Sequence, residues 1–167
     1  NWDKTWQLIT SAAHEFPGRI GTHLIAGLGE TEEELLRVVQ ALQDLRVTVG
    51  LFAFTPVRGT TMADREPPDL ESYRRIQVGR WLIQEKLIRW DDLLFDNRGR
   101  VMDYGLGRVA VEALLAGGEA FRTAGCPDCN RPYYNERPGG PLYNYPRPLR
   151  EAEVSKEIAR LIATLSL

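Results

Sequence analysis

The residues best suited to chemistry in this chain fall in two places. One is Cys126-Pro127-Asp128-Cys129, a C-x-x-C pair whose spacing lets two thiolates hold one metal ion or one iron–sulfur cluster. Such sites normally take four ligands, and the chain contains no further cysteine. Half of a metal site, a redox dithiol and two reduced structural cysteines therefore all fit the pair. Pro127, Pro132 and Pro138 favour a loop there, unlike the strand-and-helix setting of a thioredoxin-type dithiol. The other place is Gly27-Leu28-Gly29-Glu30, which separates β-favouring sequence from helical sequence. In α/β proteins, ligands bind at such turns, beyond the carboxyl ends of the strands. The turn is not a dinucleotide fingerprint, because Glu32 stands where the third glycine is required, and no Gly-Lys-Ser/Thr phosphate loop occurs. Glu30, Glu32, Glu33 and Glu34 would also repel a phosphate at that helix end. The glycines can equally serve only the φ freedom of a tight turn. Glu30 can accept from a ligand hydroxyl or amine, or simply oppose the helix dipole. His14 and His23 are the only histidines and have no companions at ligand spacing, so a zinc hydrolase finds no support.

The elements that must position these residues are legible from spacing. Arg19 to Ala26 reads as a strand. Thr31 and Glu34 form a capping box, and Leu35, Val38, Val39, Leu42 and Leu45 follow at helical spacing. Val47 to Phe54 is nearly continuous apolar sequence, as in a parallel strand covered on both faces, and Thr55-Pro56 ends it. Asp69 is placed to cap a helix of about 18 residues by its pattern, with Leu70, Tyr73, Ile76, Leu82, Ile83 and Leu87 as its apolar set. Two βα units in succession suit either a doubly wound sheet or a (β/α) barrel. Beyond residue 90 the pattern changes. Asp91 to Tyr104 reads as irregular around an Asn97-Arg98-Gly99 turn, and Val109 to Leu115 as a short helix stopped by Gly117-Gly118. Cys126 to Arg147 holds five prolines and four tyrosines. An ordered loop suits that composition better than a flexible tail, because disordered segments are usually poor in aromatics. Val154, Ile158, Leu161, Ile162 and Leu165 mark a closing helix.

Composition narrows the function classes. A net charge of -2 over 167 residues argues against a generally basic nucleic-acid binder, and residues 126–150 carry only +2. No apolar run approaches the roughly 18 residues that span a bilayer, so no membrane partner is expected. Two cysteines cannot build a disulfide scaffold, which makes the cytoplasm the expected compartment. The chain opens at Asn1, in helical sequence, and is expected to be a piece of a longer polypeptide.

With these residues in hand, the chain resembles the radical S-adenosylmethionine enzymes of the biotin synthase and lipoyl synthase group. His23-Leu24-Ile25-Ala26-Gly27-Leu28-Gly29-Glu30-Thr31 is similar to the family's fifth-strand motif G-x-I-x-G-x-x-E, with His23 in place of the first glycine. Leu51 to Thr60 resembles the sixth strand and its loop, and Ile76 to Arg80 the helix after it. The tract from Cys126 to Arg147 is similar to the C-terminal signature of a biotin-synthase-related branch that includes two-subunit lipoyl synthases. The resemblance implies an α/β fold: the C-terminal half of a (β/α)6 partial barrel over residues 1–90, with an irregular extension over 91–167. It implies S-adenosylmethionine as cofactor, with Ile25 and Phe54 flanking the adenine, Gly27 allowing its close approach, and Glu30 shoring up the strand end. It implies a [4Fe–4S] cluster that cleaves the cofactor to a 5′-deoxyadenosyl radical, followed by sulfur insertion at unactivated carbon in a lipoyl- or biotin-type precursor. The C-x-x-x-C-x-x-C loop for that cluster is absent from this chain, so the cluster's ligands must lie outside it. Cys126 and Cys129 then become candidate ligands of an auxiliary cluster completed from the rest of the enzyme or from a second subunit. The alternative from another class is a non-enzymatic C-x-x-C module that recruits a protein or nucleic-acid partner.

Overall fold

A computed structural model describes residues 1–124 and 141–166. It is a mixed α/β structure. Helix α1 (Trp2–Glu15) starts at Asn1, whose Oδ1 accepts from the Asp3 N–H at 3.0 Å. Strand β1 (Gly21–Ala26), helix α2 (Glu32–Asp44), strand β2 (Thr48–Ala53) and helix α3 (Leu70–Gln84) make two successive βα units. A hairpin of β3 (Leu94–Phe95) and β4 (Val101–Asp103) follows, then helix α4 (Arg108–Leu115) and helix α5 (Glu151–Ile162). Helix α2 begins where the capping box places it: Glu34 N–H donates to Thr31 Oγ1 at 3.1 Å, and Thr31 N–H to Glu34 Oε2 at 2.8 Å. Asp69 caps α3 by accepting from the Ser72 N–H at 3.0 Å.

β1 and β2 pair in parallel, from Gly21 opposite Thr48 to Ala26 opposite Ala53. Ala26, Val49 and Leu51 on one face are buried with Leu36 and Val39 of α2 and Val78 of α3. The other face, where His23 and Ile25 meet Gly50 and Phe52, is more open, and Ile25 is 47% exposed. The reading of β2 as covered on both faces is therefore corrected. Both covering helices lie on one side, and Phe52 and Phe54 remain half-buried.

The two sheet edges differ. Along the outer edge of β2, Val49 N–H donates to Gln84 Oε1 at 2.9 Å and Leu51 O accepts from the Tyr73 hydroxyl at 3.0 Å. Side chains of α3 thus take up groups that a neighbouring strand would use. The outer edge of β1 has no strand partner among the described residues. An open parallel edge invites pairing between molecules, and an inward-pointing charge blunts it. The isolated chain should therefore self-associate with rising concentration in sedimentation velocity runs, and Ile25→Lys should return it to monomer. A wild-type chain that stays monomeric throughout would contradict this.

α3 departs from the amphipathic pattern read for it. Every residue from Tyr73 to Arg80 is buried, whereas Leu87, assigned to its apolar set, lies beyond the helix end and is exposed. Two layers cause this: β2 and α2 pack on one side, and α5 with residues 142–145 pack on the other. Buried polar groups on such a helix need partners. Arg75 is matched by Glu32 of α2, with Nη2 to Oε1 at 2.7 Å. Arg74 Nε meets Glu157 Oε2 of α5 at 2.8 Å, and its Nη atoms donate to Gln77 Oε1 and to the carbonyls of Leu142 and Tyr143. Gln77 Nε2 donates to Asn144 Oδ1 at 2.9 Å.

The stretch Asp91 to Tyr104, read as irregular, is instead a 3-10 turn (Trp90–Asp92) and the β3–β4 hairpin. Its turn is organised by Asp96, whose Oδ1 accepts from the N–H groups of Arg98 and Arg100, each at 2.9 Å. The hairpin is anchored from a distance, since Val101 N–H donates to Glu32 Oε2 at 2.8 Å. Val101, Tyr104, Val111, Leu115, Phe121 and Leu161 share one core with Leu36 and Val78. Near the start of α5, Arg147 holds Glu153 at 2.7 and 2.8 Å and the Arg150 N–H donates to it at 2.8 Å. Arg147 above all, then Arg150, pull the Glu153 carboxyl down to about 2 from its ordinary 4.5. A depressed carboxyl contributes stability above its unfolded value, and that contribution is lost as pH falls through the folded one. Carboxyl titration by NMR should therefore show Glu153 ionised until pH nears 2, and Arg147→Gln should return it toward 4.5. A midpoint near 4.5 in the wild-type chain would contradict the pairing.

Candidate functional site

The carboxyl ends of β1 and β2 carry the site. The chain leaves β1 through Gly27 (φ 101°) and Gly29 (φ 120°), both in the region that favours glycine. Glu30 closes the turn with both carboxylate oxygens: Oε1 accepts from Gly27 N–H at 2.7 Å and Oε2 from Leu28 N–H at 2.9 Å. From the loop after β2, Arg65 Nε donates to the Gly27 carbonyl at 2.8 Å. Pro68 packs so close that a Cβ on Gly27 would lie 2.8 Å from its Cδ. The turn is thus held by its own carboxylate on one side and by the β2–α3 loop on the other.

Four of the sequence-derived site residues come together here. Ile25, Gly27, Glu30 and Phe54 all lie at the carboxyl end of the parallel pair, and the Phe54 N–H donates to the Ala26 carbonyl at 2.8 Å. Ile25 shares the open face with its register partner Phe52. Two of the four have defined contacts within the chain. Glu30 acts on the strand end through main-chain N–H groups, and the atoms that approach Gly27 are those of Pro68. Cys126 and Cys129 lie outside the described residues. Among the described residues, no group of three or more His, Cys, Asp and Glu side chains is arranged to hold a metal ion.

A cavity of about 530 Å3 runs along the free edge of β1, with Trp2, His23, Ile25, Leu28, Glu30 and Leu35 on its walls. That is within the size range of small-molecule sites, and the walls are mainly apolar. It accounts for the exposure of Trp2 and Leu28, at 61% and 43%. His23, the departure from the strand motif, has a definite place. Its ring lies 5.2 Å from the Phe52 ring and fills the space over Gly50, where an added Cβ would sit 2.6 Å from His23 Cδ2 and 3.4 Å from the Ala124 carbonyl. A large ring opposite a glycine is a complementarity that sequence shows only once the register is known. The same holds for Glu32, which sequence placed at the helix dipole and the structure buries at 7% exposure. The string Tyr73-Arg74-Arg75-Ile76-Gln77-Val78-Gly79-Arg80, which mixes three arginines with apolar residues, gave no sign that the facing helix would bury Glu32.

Comparison with family models, curated proteins and solved structures finds no match to this chain. Among the described residues, no helix is long and apolar enough to cross a membrane.

Proposed function

We propose that this chain is the carboxyl-terminal part of a radical S-adenosylmethionine enzyme of the biotin and lipoyl synthase group, which inserts sulfur into unactivated C–H bonds. On this reading β1 and β2 are the last two strands of a (β/α)6 partial barrel, and the open edge of β1 continues into the preceding strands. The observation that carries it is the joint placement of Ile25, Gly27, Glu30 and Phe54 at the carboxyl end of two parallel strands. Bound there, S-adenosylmethionine together with a reducing [4Fe–4S] cluster supplies a radical able to take hydrogen from an unactivated carbon.

The chain's own residues fit the adenosyl part of that cofactor. Ile25 is half-exposed on the open face, and Phe54, half-buried just past the end of β2, adds apolar surface at the same strand ends, suited to a planar base. Glu30 is a positioning residue, since both oxygens are committed to the Gly27 and Leu28 N–H groups. Cys126 and Cys129 would supply two ligands of an auxiliary iron–sulfur cluster near the substrate, a lipoyl- or biotin-type precursor. The remaining ligands would come from the rest of the enzyme or from a second subunit. The segment leading to the pair reaches the open sheet face, with the Ala124 carbonyl beside Gly50.

The test is anaerobic reconstitution of the complete enzyme with Cys126→Ala plus Cys129→Ala, alongside Phe54→Ala. The double variant should lose about one cluster's worth of iron, keep forming 5′-deoxyadenosine and stop inserting sulfur. Phe54→Ala should weaken S-adenosylmethionine binding roughly 5- to 150-fold, the equivalent of about 1–3 kcal/mol of lost stacking. Wild-type iron in the double variant would overturn the auxiliary cluster. A well-loaded enzyme that forms no 5′-deoxyadenosine would favour a C-x-x-C recruitment module instead.

A further inference from the structure

A second cavity, of about 450 Å3, lies at the other end of β2, between the C-terminal ends of α2 and α3 and residues 119–124. Four cations line it, Arg46, Arg80, Lys86 and Arg122, against two carboxylates, Glu85 and Glu119. Among the described residues, none of these six side chains forms an ion pair. Arg80 is the decisive one. It is only 5% exposed, and its Nε has no hydrogen-bond partner among the described residues. The two other buried arginines of α3 each hold a carboxylate, at 2.8 and 2.7 Å.

A buried guanidinium without a hydrogen-bonded carboxylate is costly, and here Glu85 offsets the burial only in part. Burial lowers Arg80 to about 10, so it stays charged near neutrality and does not escape that cost by deprotonation. The rim adds a second indication. Arg46 (φ 57°) and Lys86 (φ 60°) are the only non-glycine residues with positive φ among the described residues. Each stands just past a helix end, where glycine is usual and a larger residue is strained. Both helix ends thus present a cation to the cavity, where each also complements the negative end of its helix dipole.

We propose that this cavity binds the phosphate group of a small phosphorylated molecule, with Arg80 as the buried anchor and Arg46, Lys86 and Arg122 around the rim. A guanidinium offers a planar fork matched to phosphate oxygens, and several cations suit an anion of charge near two better than one carboxylate. The volume leaves room for more than a single phosphate group, and Trp81 supplies an aromatic wall. The site is separate from the carboxyl end of the strands, and its test does not involve S-adenosylmethionine.

The experiment is calorimetric titration of the 167-residue chain with inorganic phosphate and with pyrophosphate in phosphate-free, low-salt buffer, paired with thermal melts. One saturable site is expected, tighter for pyrophosphate. Arg80→Met should weaken pyrophosphate at least tenfold, yet without anion it should melt no lower than wild type, because it removes a buried charge that no carboxylate hydrogen-bonds. The double variant Arg46→Gln plus Arg122→Gln alters only exposed rim residues and should weaken pyrophosphate at least fivefold. No saturable binding to the wild-type chain, or equal binding by wild type and the rim double variant, would overturn the proposal. So would an Arg80→Met chain that binds pyrophosphate as well as wild type.

Discussion

Glu32→Ala should destabilise the folded chain by about 3–5 kcal/mol, the cost of breaking a buried ion pair by removing one partner. Glu32 is 7% exposed and Arg75 is 5% exposed, so little water can replace the lost carboxylate. Three residues on two elements lose bonds together. Arg75 loses contacts at 2.7, 3.0 and 3.1 Å, the Ser72 hydroxyl one at 2.7 Å, and the Val101 N–H one at 2.8 Å. The last ties β4 to the first turn of α2, so the hairpin should loosen with the helix pair. Urea unfolding measures the loss, and amide exchange at Val101 locates it. Replacing both partners, Glu32→Met with Arg75→Leu, should recover part of the loss, because two well-packed apolar groups avoid the uncompensated charge. A Glu32→Ala chain within 1 kcal/mol of wild type would mean that water reaches Arg75.

The second large effect is expected at Gly27→Ala. The φ of 101° costs a non-glycine residue about 1–3 kcal/mol. The added methyl would meet Pro68 Cδ at 2.8 Å and Cβ at 3.1 Å, an overpacking that typically costs a further 1–3 kcal/mol. The ring is part of the chain entering α3, so it has little room to move aside. The turn would respond by opening, which weakens the bonds from the Gly27 and Leu28 N–H groups to Glu30. Denaturant melts should register the stability loss, and faster exchange of those two amides would place it at the strand end. Melting unchanged from wild type would show that the turn has an unstrained alternative. On the proposed function the same substitution also moves Ile25 and Phe54 relative to one another, so cofactor affinity should fall with it.

The parts of this molecule legible in sequence are those decided within a few residues. Thr31 and Glu34 satisfy one another's main-chain N–H groups inside a single turn, so the start of α2 needs no distant information. Asp69 caps α3 in the same way. Gly27 to Glu30 is likewise local, and Glu30 reaches N–H groups only two and three residues away. This is why the turn from Gly27 to Glu30 could be read from spacing, with Ile25 and Phe54 added by the family resemblance, and why the order of strand and helix up to residue 84 is as sequence implies. Cys126 and Cys129 lie outside the described residues, and their reading rests on spacing and the family resemblance.

The rest was decided by the tertiary structure, because burial depends on what packs from elsewhere in the chain. Arg75 lies 43 residues from Glu32, and Val101 lies 69 residues from it. Only when α3, α2 and the hairpin converge does an acidic helix start become a dry junction rather than a solvated dipole partner. Residues 142–145 and α5 close over α3, turning a helix that sequence treats as two-faced into one buried all round, its arginines demanding counter-charges. Arg74 and Arg75 find theirs on α5 and α2, and Arg80 does not among the described residues. Composition counts all three as ordinary cations. Desolvation, set by the packed elements around each side chain, makes two of them structural and leaves the third facing a cavity.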